Sequence, residues 1–327
     1  MTFSALRCLL GICASTLLFT VSGAAVAQTY PSKPIRWVVP YPPGGGGDIA
    51  ARLIAQKLPD VLGQPVLIEN LSGAAGTLGT NAVAKAVPDG YTIGFGTNST
   101  HAIVASLYAK LPYHPGKDFA PVANLVTVTN VLVVHPSVPA RSVAELVEYA
   151  RKNPGRLAYA SAGNGSNAHL GMELFKSMTN TDILHVPYKG IGQALIDLLD
   201  GRVQIMVSNV PPVGEHIKAG KLRALATTGK ARAPFMSDIP TVDESGIPGY
   251  ESDAWWAAFA PVGTPAPVIE RLNAAFLKVI DMADVRVKLR EMGLVPSGGT
   301  PAELGQVVAA DIARWAKVVE KSGARSE

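Results

Sequence analysis

Cysteine is almost absent from this sequence. Its two cysteines, Cys8 and Cys13, both stand near the start of a 327-residue chain. The rest of the chain therefore cannot form a disulfide, use a thiolate as a nucleophile or bind a metal through cysteine sulfur. It does not need such cross-links, because a chain of about 300 residues buries roughly 75% of its unfolded surface on folding.

Charge is also scarce. Charged residues make up 17% of the chain and hydrophobic residues 48%, a balance that excludes an intrinsically disordered protein. The net charge is only +4, and the lysines and arginines do not cluster. Because nucleic-acid binding depends on clustered cations, we expect no nucleic-acid partner. At about 150 residues per domain, the length suggests two domains.

An apolar segment near the N-terminus has the pattern of a secretory signal peptide. Arg7 gives it a positive start, the stretch 9–21 is mostly apolar, and Ala25-Val26-Ala27 supplies small residues before Gln28. We therefore predict that residues 1–27 are a signal peptide and that the remaining chain is secreted.

Two other interpretations of this segment are less favoured. A membrane anchor needs about 20 apolar residues, and the apolar core here has only about 13. Lipid attachment at Cys13 would place Ile12 just before the modified cysteine, and isoleucine is too bulky for that position.

Short apolar strands alternate with helices along the rest of the chain, which is typical of a parallel α/β sheet. The predicted strands are 35–39, 65–70, 91–96, 130–135, 157–161, 183–186, 203–207, 223–228 and 255–260. The predicted helices are 48–62, 73–86, 97–110, 142–153, 166–178, 192–199, 265–292 and 301–321. Capping boxes are expected at Ser142 with Glu145 and at Thr300 with Glu303.

The order of elements predicts two lobes. Two similar α/β units follow each other, and the chain then ends on helices after it leaves the second unit. We therefore expect a discontinuous first lobe, residues 28–129 with 254–327, and a second lobe formed by residues 130–253.

Four consecutive glycines, residues 44–47, follow the first predicted strand. They are not a P-loop, since no Gly-Lys-Ser/Thr follows, and Ile49 stands where a dinucleotide fingerprint needs its third glycine. Glycines allow a close approach to the backbone, and the following helix offers unpaired N–H groups to an anion. The alternative is a turn that only requires positive φ.

Similar loops recur between strand ends and helix starts, at residues 97–100, 163–166 and 188–190. In open α/β sheets ligands bind outside the carboxyl ends of the strands. Any one of these loops is explained by ordinary helix capping, but their recurrence favours helix N-termini that converge on one crevice.

No catalytic or metal-binding pattern emerges. Gly-x-Ser-x-Gly and His-Glu-x-x-His are both absent. His169 and Glu173 are four residues apart on a predicted helix, but two ligands do not make a metal site. Asp48 is expected to cap its helix, and His185, before Val186-Pro187, is expected to be structural. We therefore predict neither an enzyme nor a bound cofactor or metal.

Several motifs resemble those of the substrate-binding proteins of tripartite tricarboxylate transporters, the Bug-type periplasmic receptors. They are 30–35 (YPSKPI), 39–45 (VPYPPGG), Asn70 with 73–76 (GAAG), 88–92 (PDGYT), 161–170 (SAGNGSNAHL), 185–190 (HVPYKG) and 260–265 (APVGTP). They occur in the family's order along nearly the whole chain after residue 27.

This resemblance implies a type II periplasmic-binding fold, in which two α/β lobes close over a ligand. It also implies a small carboxylate ligand, held mainly by backbone N–H groups, that is passed to a membrane permease by a monomeric receptor. The ligand-binding residues implied are Tyr41, Pro43, Gly44, Gly45, Asp48, Thr97, Asn98, Ser161, Gly163, Asn164, Ser166, His169, Tyr188 and Ser208.

One position departs from the family pattern. Many relatives carry an aspartate where this chain has Ser208, and an aspartate there would pair with the ammonium group of an amino acid. Since Ser208 has no charge, we expect a dicarboxylate or aromatic acid as the ligand. Two alternatives stay open: a secreted hydrolase or isomerase of such acids, and a receptor that signals through a sensor protein.

Overall fold

A computed structural model describes residues 30–324, and the predicted signal peptide at residues 1–27 lies outside them. The strands are β1 (Ile35–Val39), β2 (Val66–Asn70), β3 (Thr92–Thr97), β4 (Phe119–Val128), β5 (Asn130–Val134), β6 (Ala158–Ser161), β7 (Leu184–Pro187), β8 (Ile205–Asn209), β9 (Arg223–Thr227), β10 (Ala254–Pro261) and β11 (Leu294–Pro296).

The α-helices are α1 (Gly46–Ala55), α2 (Pro59–Leu62), α3 (Thr77–Ala84), α4 (Val104–Leu107), α5 (Val143–Lys152), α6 (Asn167–Thr179), α7 (Ile191–Leu199), α8 (Val210–Lys218), α9 (Ala266–Ile280), α10 (Ala283–Glu291) and α11 (Pro301–Ser322). Short 3₁₀ turns occupy Ala74–Gly76 and Pro234–Met236, and a π-helical turn, Ser99–Ile103, leads into α4.

The strands form two sheets, which confirms the predicted α/β class with two lobes. The first sheet has the order β11-β4-β10-β3-β1-β2, and the second has the order β7-β6-β8-β5-β9. In the first, β1 lies parallel to both β2 and β3, so the loops that follow these three strands share one edge. In the second, β6 lies parallel to both β7 and β8, and their loops likewise share one edge.

Both faces of each sheet are covered. On β1, Ile35 and Trp37 pack into one cluster beneath α1 and α9, while Val38 points to a second cluster with residues of α11. On β5, Leu132 and Val131 divide in the same way between two clusters. Burial on both sides explains why these strands read as continuous apolar runs rather than alternating ones.

Strand β4 is absent from the sequence prediction. It contains Pro121, and a proline demotes a run of residues as a strand candidate because it cannot donate to the ladder. In the structure Pro121 lies opposite Phe259 at a register shift, where the ladder is already interrupted. The strand is therefore compatible with its proline only through an irregularity that the sequence does not reveal.

The structure divides two of the long predicted helices and adds a helix that was not predicted. The helix predicted over 48–62 divides into α1 and α2, and that over 265–292 divides at Met282, whose backbone is extended. Helix α8 was not predicted. Its first turn contains Pro211 and Pro212, and a proline pair favours a loop in the sequence, although proline is compatible with a first helical turn.

Of the two predicted capping boxes, one forms completely and the other only in part. Thr300 and Glu303 form the full capping box. Ser142 accepts a hydrogen bond from the Glu145 amide as expected, but the Glu145 carboxylate takes the Arg141 amide instead of the Ser142 amide. The second box is therefore only half formed.

The two lobes touch through an apolar cluster outside the two sheets. Leu170 of α6 packs with Ile103 and Leu107 of the first lobe and with Trp315 of α11. The chain passes between the lobes at Thr129, and it returns in the segment after β9. The lobe boundaries at 129/130 and 253/254 themselves stay a prediction. Within residues 30–324, no helix combines the length and apolarity needed to cross a bilayer.

Because the cluster joins the lobes, Leu170→Ala should make the two lobes unfold less cooperatively on heating. We expect it to lower the free energy of unfolding by about 2–5 kcal/mol and to separate the unfolding of the two lobes in a calorimetric scan. Leu198→Ala, within the second lobe alone, is the matched control, since Leu198 is equally buried. Equal profiles for both variants would contradict a coupling role.

Candidate functional site

The glycine loop after β1 exposes its backbone. Pro43, Gly44 and Gly45 are exposed, and Gly44 has a φ of +81°, which a side chain would strain. Gly45 is the N-cap of α1 and has no side chain to bond the first-turn amides. A Cβ at Gly47 would lie 3.2 Å from the Phe95 ring, so the close packing here also requires glycine.

Asp48 fixes this loop from beneath. The prediction that it caps α1 was wrong, because the cap is Gly45 and Asp48 lies inside the first turn. Its buried carboxylate accepts hydrogen bonds from the Gly44 amide at 2.9 Å, from Arg52 Nε at 3.0 Å and from Asn70 Nδ2 at 2.8 Å. The Gly44 amide is therefore not free for a ligand.

The carboxylate of Asp48 is ionised. Burial alone would raise its pKa, but hydrogen bonds from Arg52, Gly44 and Asn70, together with the Arg52 charge, outweigh burial and hold the pKa below its usual range. The negative charge is thus neutralised inside the lobe rather than directed at the crevice.

Arg52 and Asn70 were not predicted as site residues. The Asn70 side chain donates to the Tyr41 carbonyl at 3.0 Å as well as to Asp48, and Arg52 Nη2 donates to Asn70 Oδ1 at 2.8 Å. Asn70 therefore holds both ends of the glycine loop. Asn70 lies inside the family motif, but nothing in the sequence marks Arg52, whose contact with Asn70 spans 18 residues.

The end of β3 lies against the same loop. Tyr41 Oη is 2.9 Å from Thr97 Oγ1, and the Thr97 amide donates to Thr100 Oγ1. Burial raises the pKa of Tyr41, so its phenol is neutral. Asn98 is 1% exposed, and its side-chain NH₂ has no partner among residues 30–324. A buried donor without an acceptor is costly, which suits a position that meets a ligand.

In the second lobe, the loop after β6 wraps around the start of α6. Ser166 caps the helix by accepting from the His169 amide at 3.2 Å, and the Gly165 amide donates to His169 Nδ1 at 3.1 Å. His169 Nδ1 is therefore an acceptor, which places the ring proton on Nε2. Gly163 lies partly exposed at the loop's start, and Asn164 is fully exposed beside it.

His185, expected to be structural, contacts a predicted site residue. Its Nε2 is 2.7 Å from Ser161 Oγ, and its ring lies stacked between Tyr159 at 4.7 Å and His169 at 4.1 Å between centroids. Burial, and then the neighbouring His169, lower the pKa of His185 to about 4. Burial also lowers the pKa of His169, so both rings are neutral at pH 7.

Tyr188 and Ser208 have their hydroxyls engaged. Tyr188 Oη donates to Asp197 at 2.8 Å, and the Tyr188 amide donates to the Ser161 carbonyl. Ser208 is 3% exposed and donates to the Asn209 carbonyl at 2.9 Å. Each residue lies at the carboxyl end of its strand, and its hydroxyl is already hydrogen-bonded within the protein.

The structure thus brings the predicted residues together in two groups, one at each lobe's loop edge. The groups approach where the second-lobe loop meets the first lobe, since a Cβ at Gly165 would lie 2.1 Å from Leu107. No group of three or more His, Cys, Asp or Glu side chains that could hold a metal is found across residues 30–324. The donors are backbone amides, one free side-chain amide and neutral rings, an arrangement suited to an anion.

We expect Asn70→Ala to loosen the glycine loop. Removing the side chain takes away one of the three donors to the buried Asp48 carboxylate and the donor to the Tyr41 carbonyl, which should cost about 1–3 kcal/mol of unfolding free energy. Asn81→Ala is the control, because Asn81 Oδ1 has no hydrogen-bond partner among the described residues. Urea unfolding measures both variants, and a loss no larger for Asn70 than for Asn81 would contradict the clamp.

The sequence profile of the tripartite tricarboxylate transporter family receptors matches residues 50–324. An R. palustris protein solved with adipate is 41% identical, with a TM-score of 0.81 over 90% of this chain and 98% of that one. MatC from Rhodopseudomonas palustris, solved with bound malate, is 36% identical, with a TM-score of 0.78 over 89% and 100% of the two chains.

The periplasmic binding protein BugD is also similar. It is 33% identical, with a TM-score of 0.79 over 91% of this chain and 100% of that one. These likenesses confirm the two-lobed periplasmic-binding fold and the resemblance drawn from the motifs. The chain belongs to the family of tripartite tricarboxylate transporter receptors.

Proposed function

We propose that this receptor captures a small carboxylate between its lobes and delivers it to the membrane permease of a tripartite tricarboxylate transporter. The observation that carries the proposal is the uncharged array of donors at the loop edges of both lobes, in which the backbone of the glycine loop is exposed and the Asn98 side-chain amide is buried without a partner among residues 30–324. Backbone amides at helix N-termini bind carboxylates without a cationic side chain, and the lobes close because the ligand binds the closed state better.

The proposed binding surface is the set of residues that the resemblance implies. Within that set the structure favours the Gly45 amide, the first-turn amides of α1 and the Asn98 side chain as direct contacts. Asp48, Thr97 and Ser166 hold other protein groups and are better suited to positioning the loops. His169 has its Nε2 proton free to donate.

We infer the ligand class from the lack, within residues 30–324, of a carboxylate side chain that could face the ligand. Asp48 is saturated by three donors, and Ser208 stands where an ammonium partner would be needed. An amino acid would bring its ammonium group into a site with no counter-charge, which is unfavourable. We therefore favour dicarboxylates and aromatic acids, a choice supported by the adipate and malate in the two similar structures.

The hydrolase alternative has one observation in its favour, the contact between Ser161 and His185. Ser161 is 0% exposed, and its Oγ is also within hydrogen-bond distance of the Gly163 backbone. With a pKa of about 4, the His185 ring is a weak base at neutral pH, far from the value that general-base catalysis favours. This geometry favours a positioned loop over an activated nucleophile, and we propose that the receptor performs no chemistry on its ligand.

A thermal-shift screen tests the proposal. The chain from Gln28 onward would be heated with adipate, malate, citrate, benzoate, aspartate and glutamate. A ligand at 100 times its Kd should add about 2.7 kcal/mol to the unfolding free energy, and we expect this from a dicarboxylate or aromatic acid. Recovery of the compound unchanged supports a receptor, whereas its conversion to a product would support the hydrolase or isomerase alternative. Stabilisation by aspartate or glutamate alone would overturn the ligand class.

Ser208→Asp tests the charge argument directly. The new carboxylate should weaken dicarboxylate binding at least about tenfold by like-charge repulsion and create a measurable affinity for aspartate. Ser208→Asn is the matched control, because asparagine has the size of aspartate but no charge, and it should gain no aspartate binding. Calorimetric titration of both variants measures the change, and unaltered preferences in the aspartate variant would show that Ser208 does not set ligand charge.

A further inference from the structure

A buried polar network lies where the chain passes between the lobes. Three segments meet there: Thr129 with Asn130 at the start of β5, Thr228 after β9, and Ser252-Asp253 before β10. The Thr228 amide donates to the Asn130 carbonyl at 2.9 Å, and the Ser252 amide donates to the Thr228 carbonyl at 2.9 Å. Thr129, Asn130, Thr228 and Ser252 are all less than 10% exposed.

Asp253 stands at the centre of this network. Its two carboxylate oxygens accept hydrogen bonds from Thr129 Oγ1 at 3.0 Å and from Thr228 Oγ1 at 2.9 Å, one from each neighbouring segment. The carboxylate sits so close to Gly229 that a Cβ there would lie 2.6 Å from Asp253 Oδ2. The group that ties the three segments together is therefore a carboxylate held by two threonine hydroxyls, with the Asn130 amide close by.

The charged neighbours do not neutralise it. Glu251, on the same segment, bonds Lys230 at 3.4 Å and Arg314 of α11 at 3.6 Å. Arg314 also pairs with Asp311 at 2.8 Å, and no basic side chain within residues 30–324 forms a salt bridge to Asp253. The other titratable neighbour is Tyr250, whose hydroxyl donates to the Gly171 carbonyl.

We propose that Asp253 is a proton-sensitive element of the hinge, so that acidification favours the arrangement of the lobes described here. The proposal rests on the lobe motion in the proposed function. In this arrangement Asp253 is partly buried and its carboxylate bridges two of the segments, and a lobe rotation that separates the three segments would expose the carboxylate more fully to water. The proton then binds the two arrangements with different strength, and by linkage pH shifts their populations.

The sign follows from the cause of the shift. Burial, only partly offset by the two threonine hydroxyls, raises the pKa of Asp253 to about 6, above the ordinary value of about 3.9. The arrangement described here therefore binds the proton more tightly than a hydrated arrangement does. Lowering the pH from 7 to 5 increases the population of the arrangement described here. If the hydrated arrangement has an ordinary pKa, the population ratio changes by up to about tenfold over that interval.

Single-molecule energy transfer measures this ratio. The chain from Gln28 onward contains every residue of the described fold and no cysteine, so dyes can be placed at Leu67→Cys and Ile196→Cys. These positions lie on different lobes and are 58% and 52% exposed. The distance distribution would be recorded from pH 5 to pH 8, with and without a carboxylate found in the thermal-shift screen.

We expect a shift with a midpoint near pH 6 in the unsubstituted hinge. Asp253→Asn, which mimics the protonated group, should keep the low-pH distribution at every pH. Thr129→Val removes one hydrogen bond to the ionised form and should move the midpoint upward. Asp238→Asn is the matched control, because Asp238 is exposed and has no hydrogen bond within the described residues.

Two results would overturn the inference. The first is an unchanged pH response in Asp253→Asn, and the second is a distribution that responds to the carboxylate but not to pH. A distribution that responds to neither would instead contradict lobe closure itself, and with it the receptor mechanism proposed above.

Discussion

The ionised carboxylate of Asp48 is the interaction on which the binding edge of the first lobe depends. A loop of exposed glycines has more accessible conformations than any other sequence of its length, and it would not hold its amides in one direction unaided. Asp48 provides the restraint by accepting from the loop itself and from Asn70, which in turn reaches back to the Tyr41 carbonyl. The donors that surround Asp48 neutralise its charge inside the lobe.

The second lobe solves the same problem with neutral groups. Tyr159, His185 and His169 form a stack beneath the loop after β6, and Ser161 and Gly165 are hydrogen-bonded to its two imidazoles. Burial keeps both imidazoles uncharged at neutral pH. Each lobe therefore fixes its loop without directing a charged side chain at the crevice, which is why the proposed function relies on backbone dipoles for recognition.

The sequence was sufficient for the parts of the fold that follow from local pattern. Strands such as β1 and β6 and the cap at Thr300 were found because apolar runs, glycines and capping residues act within a few positions. Strand β4 was missed because Pro121 is accommodated by a shift in register with Phe259, more than a hundred residues away. No window along the chain contains that information.

The site shows the same division. The loops lie, as predicted, where strand ends meet helix starts, but the sequence did not reveal the contacts made within them, and the cap predicted at Asp48 was wrong. Asp48 was assigned to a helix cap because it stands at a helix start, and its actual partner Asn70 lies 22 residues further along. His185 was set aside because its contact with Ser161 forms only when β6 and β7 pair. Tertiary pairing, rather than spacing, decides these roles.

The packing of β10 has an optical consequence. Trp256 lies on this strand with its ring against Phe95, at 5.7 Å between centroids, and a Cβ at Gly46 would lie 3.4 Å from it. The other three tryptophans, Trp37, Trp255 and Trp315, are no more than 6% exposed. The partly exposed indole therefore borders the first turn of α1, and its emission is an intrinsic reporter of how water and solutes occupy the glycine loop.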